Sequence, residues 1–190
     1  LTSTFPEKLG RLDFEGFVAL VSNPLAELLK HIRQEYAPEF ILLDVRAGLH
    51  DLGGLSPNGL SHLDVLFGLD TPQSWAGLRL VLELLGGLRQ HRRDALLVHA
   101  MVTPAQFDPE ANSRFREHGF ELFREVYYRE DEDIPDLDDP NAPYGLPIRY
   151  RDELLNIRRL DDVAAVFADE SGDYVRLLDV IGAYLQRETR

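Results

Sequence analysis

Asp44, Arg46 and Asp51 are the residues whose types and spacing best suit chemistry in this chain. They stand in the block Phe40-Ile-Leu-Leu-Asp-Val-Arg-Ala-Gly-Leu-His-Asp51, where an apolar run ends in a carboxylate and a polar, glycine-bearing loop follows at once. Such a run predicts a buried strand with Asp44 at its C-terminal tip, the edge at which parallel sheets gather ligands. A carboxylate there can hold Mg²⁺, often through a water, and so neutralise charge on phosphates. The plain alternative is an aspartate that caps the next turn. The planar fork of Arg46 suits a phosphate or an acid that orders the loop. Gly48 suits a backbone that passes close to a phosphate, or an ordinary turn. Asp51 would orient a water or bind a partner, with a surface-loop role as its alternative.

Other constellations are weaker. The chain has no G-x-x-x-x-G-K-[ST] loop, and its two lysines, Lys8 and Lys30, lie in no glycine-rich setting. His50, His62 and His99, with Asp51 and Asp64, match no recognised ligand spacing, so no dedicated zinc or iron site is expected. No Ser-His-Asp or paired-carboxylate arrangement has convincing spacing. Ser74 and Gly77 open a helix, where capping is the simpler use and anion binding the sharper one. Arg149 and Arg151 flank Tyr150 and could stack on a base or simply end a strand. Trp75 reads as a packing residue or a dimer contact.

Bulk properties bound the answer. The 190 residues suffice for one α/β domain, expected over 1–190, with an acidic loop at 129–147. The net charge of −13 argues against direct contact with nucleic acid or an anionic membrane surface. Seven acids and no base fall within Glu130–Asp139, so the acidity is partly local: a solvated loop or a dock for a basic partner. With no cysteine, disulfides and thiol chemistry are excluded and the cytoplasm is the default compartment. No apolar run reaches the length of a membrane span. A first residue of Leu leads us to expect a fragment, a processed product or a renumbered chain.

The elements that must position these groups follow from pattern. Ser22-Asn23-Pro24 starts a helix with Leu25, Leu28, Leu29 and Ile32 as its stripe, closed by Pro38. Strands are expected at Phe40–Leu43, Leu63–Leu69, Ala95–Val102 and Leu146–Tyr150. Asp70-Thr71-Pro72 caps a helix whose stripe includes Leu78, Val81, Leu82 and Leu85 and which ends at Gly86-Gly87. Further helices are expected at Pro109–His118, resuming toward Tyr128, over residues 152–168, and at Tyr174–Gln186. Strands alternating with helices imply an α/β fold: a mostly parallel sheet with helices on both faces, a three-layer sandwich.

In this order the features resemble the distal part of a ParA/MinD-type P-loop ATPase. They are most similar to the bacterial branch whose Walker B block reads Asp-x-Arg-x-Gly, here Asp44-Val45-Arg46-Ala47-Gly48. The strand Leu63–Leu69, the helix opening Gln73-Ser74-Trp75-Ala76-Gly77 and the turn Leu146-Pro147-Ile148-Arg149-Tyr150 continue the likeness over roughly residues 22–187. His99-Ala100-Met101 departs from it, because the family usually carries an asparagine there. The resemblance implies slow hydrolysis of Mg·ATP by a cytoplasmic switch that self-dimerises or docks a protein partner. It assigns Asp44 to Mg²⁺, Arg46 and Asp51 to catalysis, and Gly48, Pro147, Arg149 and Tyr150 to the nucleotide. The signature lysine would lie upstream of Leu1. The rival expectation is an α/β interaction domain that keeps the fold without the chemistry.

Overall fold

A computed structural model describes residues 24–44, 60–87, 94–104, 109–129, 132–155, 157, 159–167 and 172–187. The chain divides into two compact units, Leu1–Leu60 and Ser61–Arg190.

In the first unit, helix α1 spans Pro24–Tyr36. Its end follows from the sequence. Ala37 takes a left-handed conformation (φ 42°) and donates its N–H to the Arg33 carbonyl at 3.1 Å, and Pro38 forbids another turn. The strand expected over Phe40–Leu43 is not formed. Residues 40–44 are irregular, with Phe40 62% and Leu42 93% exposed. Four apolar residues have strand propensity, but a strand exists only where a neighbour takes its hydrogen bonds, and propensity cannot name that neighbour.

The second unit is built on three parallel strands in the order β1-β2-β3: β1 Leu63–Gly68, β2 Asp94–Val102 and β3 Tyr144–Arg149. Helices α2 (Pro72–Gly87) and α3 (Pro109–Val126) make the two crossovers. The Thr71 hydroxyl caps α2 by accepting from the Ser74 N–H at 3.2 Å. The Ser74 hydroxyl in turn accepts from the Leu69 N–H at 2.9 Å, so this serine serves the helix start.

The period-2 alternation of β2 sorts the core. Ala95 and Leu97 face α2 and α3, where Trp75, Leu78, Leu82 and Leu85 meet Phe115, Leu122 and Phe123. Leu96 points the other way, against Val180 and Tyr184 of helix α5 (Asp173–Arg187). Helices thus cover both faces, and the α/β expectation holds at that level.

Two boundaries differ from the pattern reading. Helix α3 runs straight through Gly119, because a glycine there lets the helix backbone lie against the Tyr144 carbonyl of β3. Residues 152–168 were expected to be helical; instead there are short 3₁₀ turns at Asp152–Leu154 and Leu160–Val163 and a single-turn helix α4 at Ala164–Phe167. Val163 is buried but Leu155 and Ile157 are exposed, and a helix without a continuous face to bury gains too little to hold together. Among the described residues no helix is long and apolar enough to cross a membrane.

Candidate functional site

The carboxyl ends of three parallel strands lie side by side in the second unit, and this edge is where such sheets bind ligands. In register, Gly68 of β1, His99 of β2 and Pro147 of β3 form one row across that edge. Beyond His99 the β2–β3 pairing is irregular up to Val102↔Arg149, and Met101 takes a positive φ of 54°. The ladder resumes as Tyr150 donates its N–H to the Val102 carbonyl at 2.9 Å. A bulge in the central strand re-aims the side chains that follow it, a device that recurs next to functional sites.

His99 is the centre of this edge. It is 3% exposed, and its Nδ1 is buried without a hydrogen-bond partner. Its ring lies flat on Phe115, with centroids 3.8 Å apart and planes 2° from parallel. Burial lowers the imidazole's pKa below its ordinary value, and the nearby negative charge of Asp70 offsets part of that. The ring is therefore neutral at pH 7 and offers one donor and one acceptor nitrogen.

Around it stands an aromatic group. Trp75 stacks on His118 at 4.0 Å, tilts against Phe115 at 4.6 Å, and donates its indole N–H to Asp70 Oδ1 at 2.9 Å. Of the two roles expected for Trp75, the structure shows the packing one. The apolar stripes of α2 and α3 bring Trp75 and Phe115 together, because each helix turns its buried face to the same side of the sheet. Sequence reasoning noted His99 and Trp75 separately, gave Asp70 only a capping role, and missed Phe115 and His118. The available signal was a lone histidine inside the apolar run Ala95–Val102.

The expected site residues fall out unevenly. Asp44 is exposed and at no strand tip. Arg46, Gly48 and Asp51 lie outside the described residues. Pro147 sits beside His99 on β3, an edge strand, where its missing N–H is tolerated. The Arg149 backbone N–H and Nε both donate to Asp173 Oδ2, at 2.8 and 2.9 Å, which ties the end of β3 to the first turn of α5. Tyr150 is half-buried; desolvation, with Asp152 beside it, pushes its phenol up from the ordinary value. The structure thus brings Pro147, Arg149 and Tyr150 to one edge with His99. No group of three His, Cys, Asp or Glu side chains could hold a metal among the described residues.

Residues 135–141, the later part of the acidic segment, are held in shape. Arg116 Nη2 donates to the carbonyls of Leu137 (2.6 Å) and Asp139 (3.1 Å). The Tyr144 hydroxyl donates to the Pro135 carbonyl at 2.8 Å, and Asp136 and Asp139 accept from the backbone N–H groups of Asp138 and Asn141. Compared with known proteins, the chain matches no family model, no curated protein and no solved structure.

Proposed function

We propose that this chain is part of a nucleotide-dependent switch that binds Mg·ATP and hydrolyses it slowly, as the distal portion of a larger ParA/MinD-like ATPase of the cytoplasm. One observation carries the reading. The row Gly68, His99 and Pro147 closes the carboxyl edge of a parallel sheet, and the buried His99 Nδ1 there has a hydrogen bond to give or take. A purine edge presents donors and acceptors of that kind, and Tyr150, the residue after β3, would flank it.

Within this proposal Asp44 would hold Mg²⁺. An exposed carboxylate fits that ion, which takes one or two protein oxygens and fills its shell with water and phosphate. When bound, the metal would neutralise charge on the phosphates. Arg46, Gly48 and Asp51 would form the loop that senses the terminal phosphate, and Pro147 and Tyr150 the wall of the base site. Arg149, bound to Asp173, would shape that wall by holding the turn in place.

The second reading is an α/β interaction domain that docks a partner protein or a second copy of itself. It is favoured by the irregular, exposed setting of Asp44 and by the pinned acidic segment, which presents a fixed set of carboxylates. Hydrolysis measurements on the intact protein, native and Asp44→Ala, separate the two. The switch predicts turnover abolished by the substitution and a melting temperature raised by Mg·ATP, because a ligand bound only to the native state stabilises it. Unchanged turnover in Asp44→Ala would sink the assignment. No thermal shift and no turnover in the native protein would leave the interaction domain.

A further inference from the structure

A recess lies at the opposite end of the sheet, where β2 and β3 begin. It has a volume of about 170 Å³ and is lined by Asp94, Tyr127, Tyr128, Asp133 and Tyr184, with Ala95 and two prolines completing the wall. That is room for a few waters, at ~30 Å³ each, or for one small organic group.

Its chemistry is uncommon. Three of the chain's seven tyrosines line it. Tyr127 and Tyr128 meet at 81° with centroids 5.1 Å apart, the angle between two walls of a corner. The Tyr184 hydroxyl is spent on the Asn141 carbonyl at 3.2 Å, so what this residue offers a guest is its ring. The two carboxylates, Asp94 and Asp133, enter no ion pair among the described residues. Arg93 precedes Asp94 and Arg129 follows Tyr128 in the sequence; Arg129 lines a neighbouring recess together with Glu83, Tyr127 and Tyr128. Asp133 and Pro135 of the wall belong to the acidic segment of the sequence, and Asp94 adds a second carboxylate, so the opening carries negative charge that attracts cations.

Aromatic walls and unpaired carboxylates around a small recess suit a single class of guest. Ring faces attract a positive charge that carries apolar surface, and carboxylates without a bound cation leave charge to be neutralised. Mg²⁺ or Ca²⁺ would want a shell of oxygens that tyrosine rings do not supply. We propose that this recess binds the head group of an organic ammonium ion, a methylated or free amine of the kind carried by choline or by a lysine side chain.

The test is an NMR titration of the full chain, following the amide signals of Ala95, Tyr127 and Tyr128. The probes are choline, its neutral isostere 3,3-dimethylbutan-1-ol, and a short peptide containing trimethyllysine. Expected are saturable shifts with choline and affinity about tenfold or more weaker for the isostere, which lacks the charge. Asp94→Asn combined with Asp133→Asn should weaken choline binding by a similar factor and leave the far-UV spectrum unchanged. Both positions are at least partly exposed, so the fold survives the change. A peptide that binds more tightly than choline names a protein side chain as the source; the reverse order names a free amine. Absence of saturable shifts, or an isostere that binds as well as choline, overturns the proposal. None of these outcomes depends on whether Mg·ATP binds at the other end of the sheet.

Discussion

Replacing Gly119 by alanine should reverse the usual effect of that substitution. In a helix interior alanine is normally favoured over glycine by about 1 kcal/mol, because glycine loses more backbone freedom on folding. At Gly119 the added methyl would run into the Tyr144 carbonyl oxygen, with the carbonyl carbon at 3.1 Å and Leu97 Cδ2 at 3.2 Å. The obstacle is backbone of a strand paired to β2, so it cannot rotate aside as a side-chain tip would. Overpacking of this kind costs roughly 1–3 kcal/mol, and a backbone obstacle belongs at the upper end. The net expectation is a loss of about 2 kcal/mol, or a melting temperature lower by roughly 4–8 °C in a protein of this length. Gly77 supplies the control, since nothing lies within 4 Å of a methyl placed there. Gly77→Ala in α2 should gain up to about 1 kcal/mol. Urea denaturation followed by far-UV dichroism and by the single tryptophan measures both. Trp75 rests on Phe115, one turn before Gly119, so its emission also reports whether α3 has been pushed off the sheet. If Gly119→Ala proved as stable as Gly77→Ala, the close approach of α3 to β3 would be wrong. The packing of Phe115 beneath His99 would then lose its footing.

Two further outcomes follow from the same edge. Burial lowers the pKa of His99 in the folded protein, so the unfolded chain takes up its proton first as the pH falls. The contribution is therefore present above about 6.5, the ordinary histidine value, and is lost as pH falls through the folded pKa. Urea stabilities from pH 7.5 to 5 should fall more steeply for the native protein than for His99→Gln; parallel slopes would refute the buried neutral ring. Asp173→Ala removes the acceptor shared by the Arg149 N–H and Nε and should cost about 1.5–3 kcal/mol, the usual range for hydrogen bonds to a charged group. A loss below ~0.5 kcal/mol, within the range of ordinary surface changes, would mean that the link does not hold the turn after β3.

Much of the second unit was legible because its signals are local. Thr71-Pro72 with Ser74 three residues past the cap marks the start of α2, and Gly86-Gly87 its end. The apolar spacing of Leu78, Leu82 and Leu85 names the buried face, and Ala95–Val102 can hardly be anything but a central strand. Their alternation is enough for an α/β fold with a parallel sheet. Less legible was anything that needed a partner distant in sequence. Phe40–Leu43 has the composition of a strand, yet no composition states which edge will accept it. Gly119 resembles a helix break until β3 is seen pressed against it. Residues 152–168 carry apolar residues at tolerable spacing, but of the described ones Val163 is buried while Leu155 and Ile157 stay exposed, so no continuous helical face is covered.

The candidate site divides along the same line. By itself the sequence determined that the chain is acidic, free of cysteine, without a G-x-x-x-x-G-K-[ST] loop, and able to alternate strands and helices. It also brought Pro147, Arg149 and Tyr150 forward as neighbours, which adjacency along the chain guarantees. Only the tertiary structure decided that Gly68, His99 and Pro147 stand in one row, that Phe115 covers His99, and that Arg149 is bound to Asp173. It alone gathered Asp94, Asp133 and three tyrosines around one recess. Hydrophobic periodicity is a property of short windows and survives in a single sequence. Register and helix docking are set by burial and by hydrogen bonds between segments 20 to 60 residues apart. Those pairings are where side chains of different elements become a site.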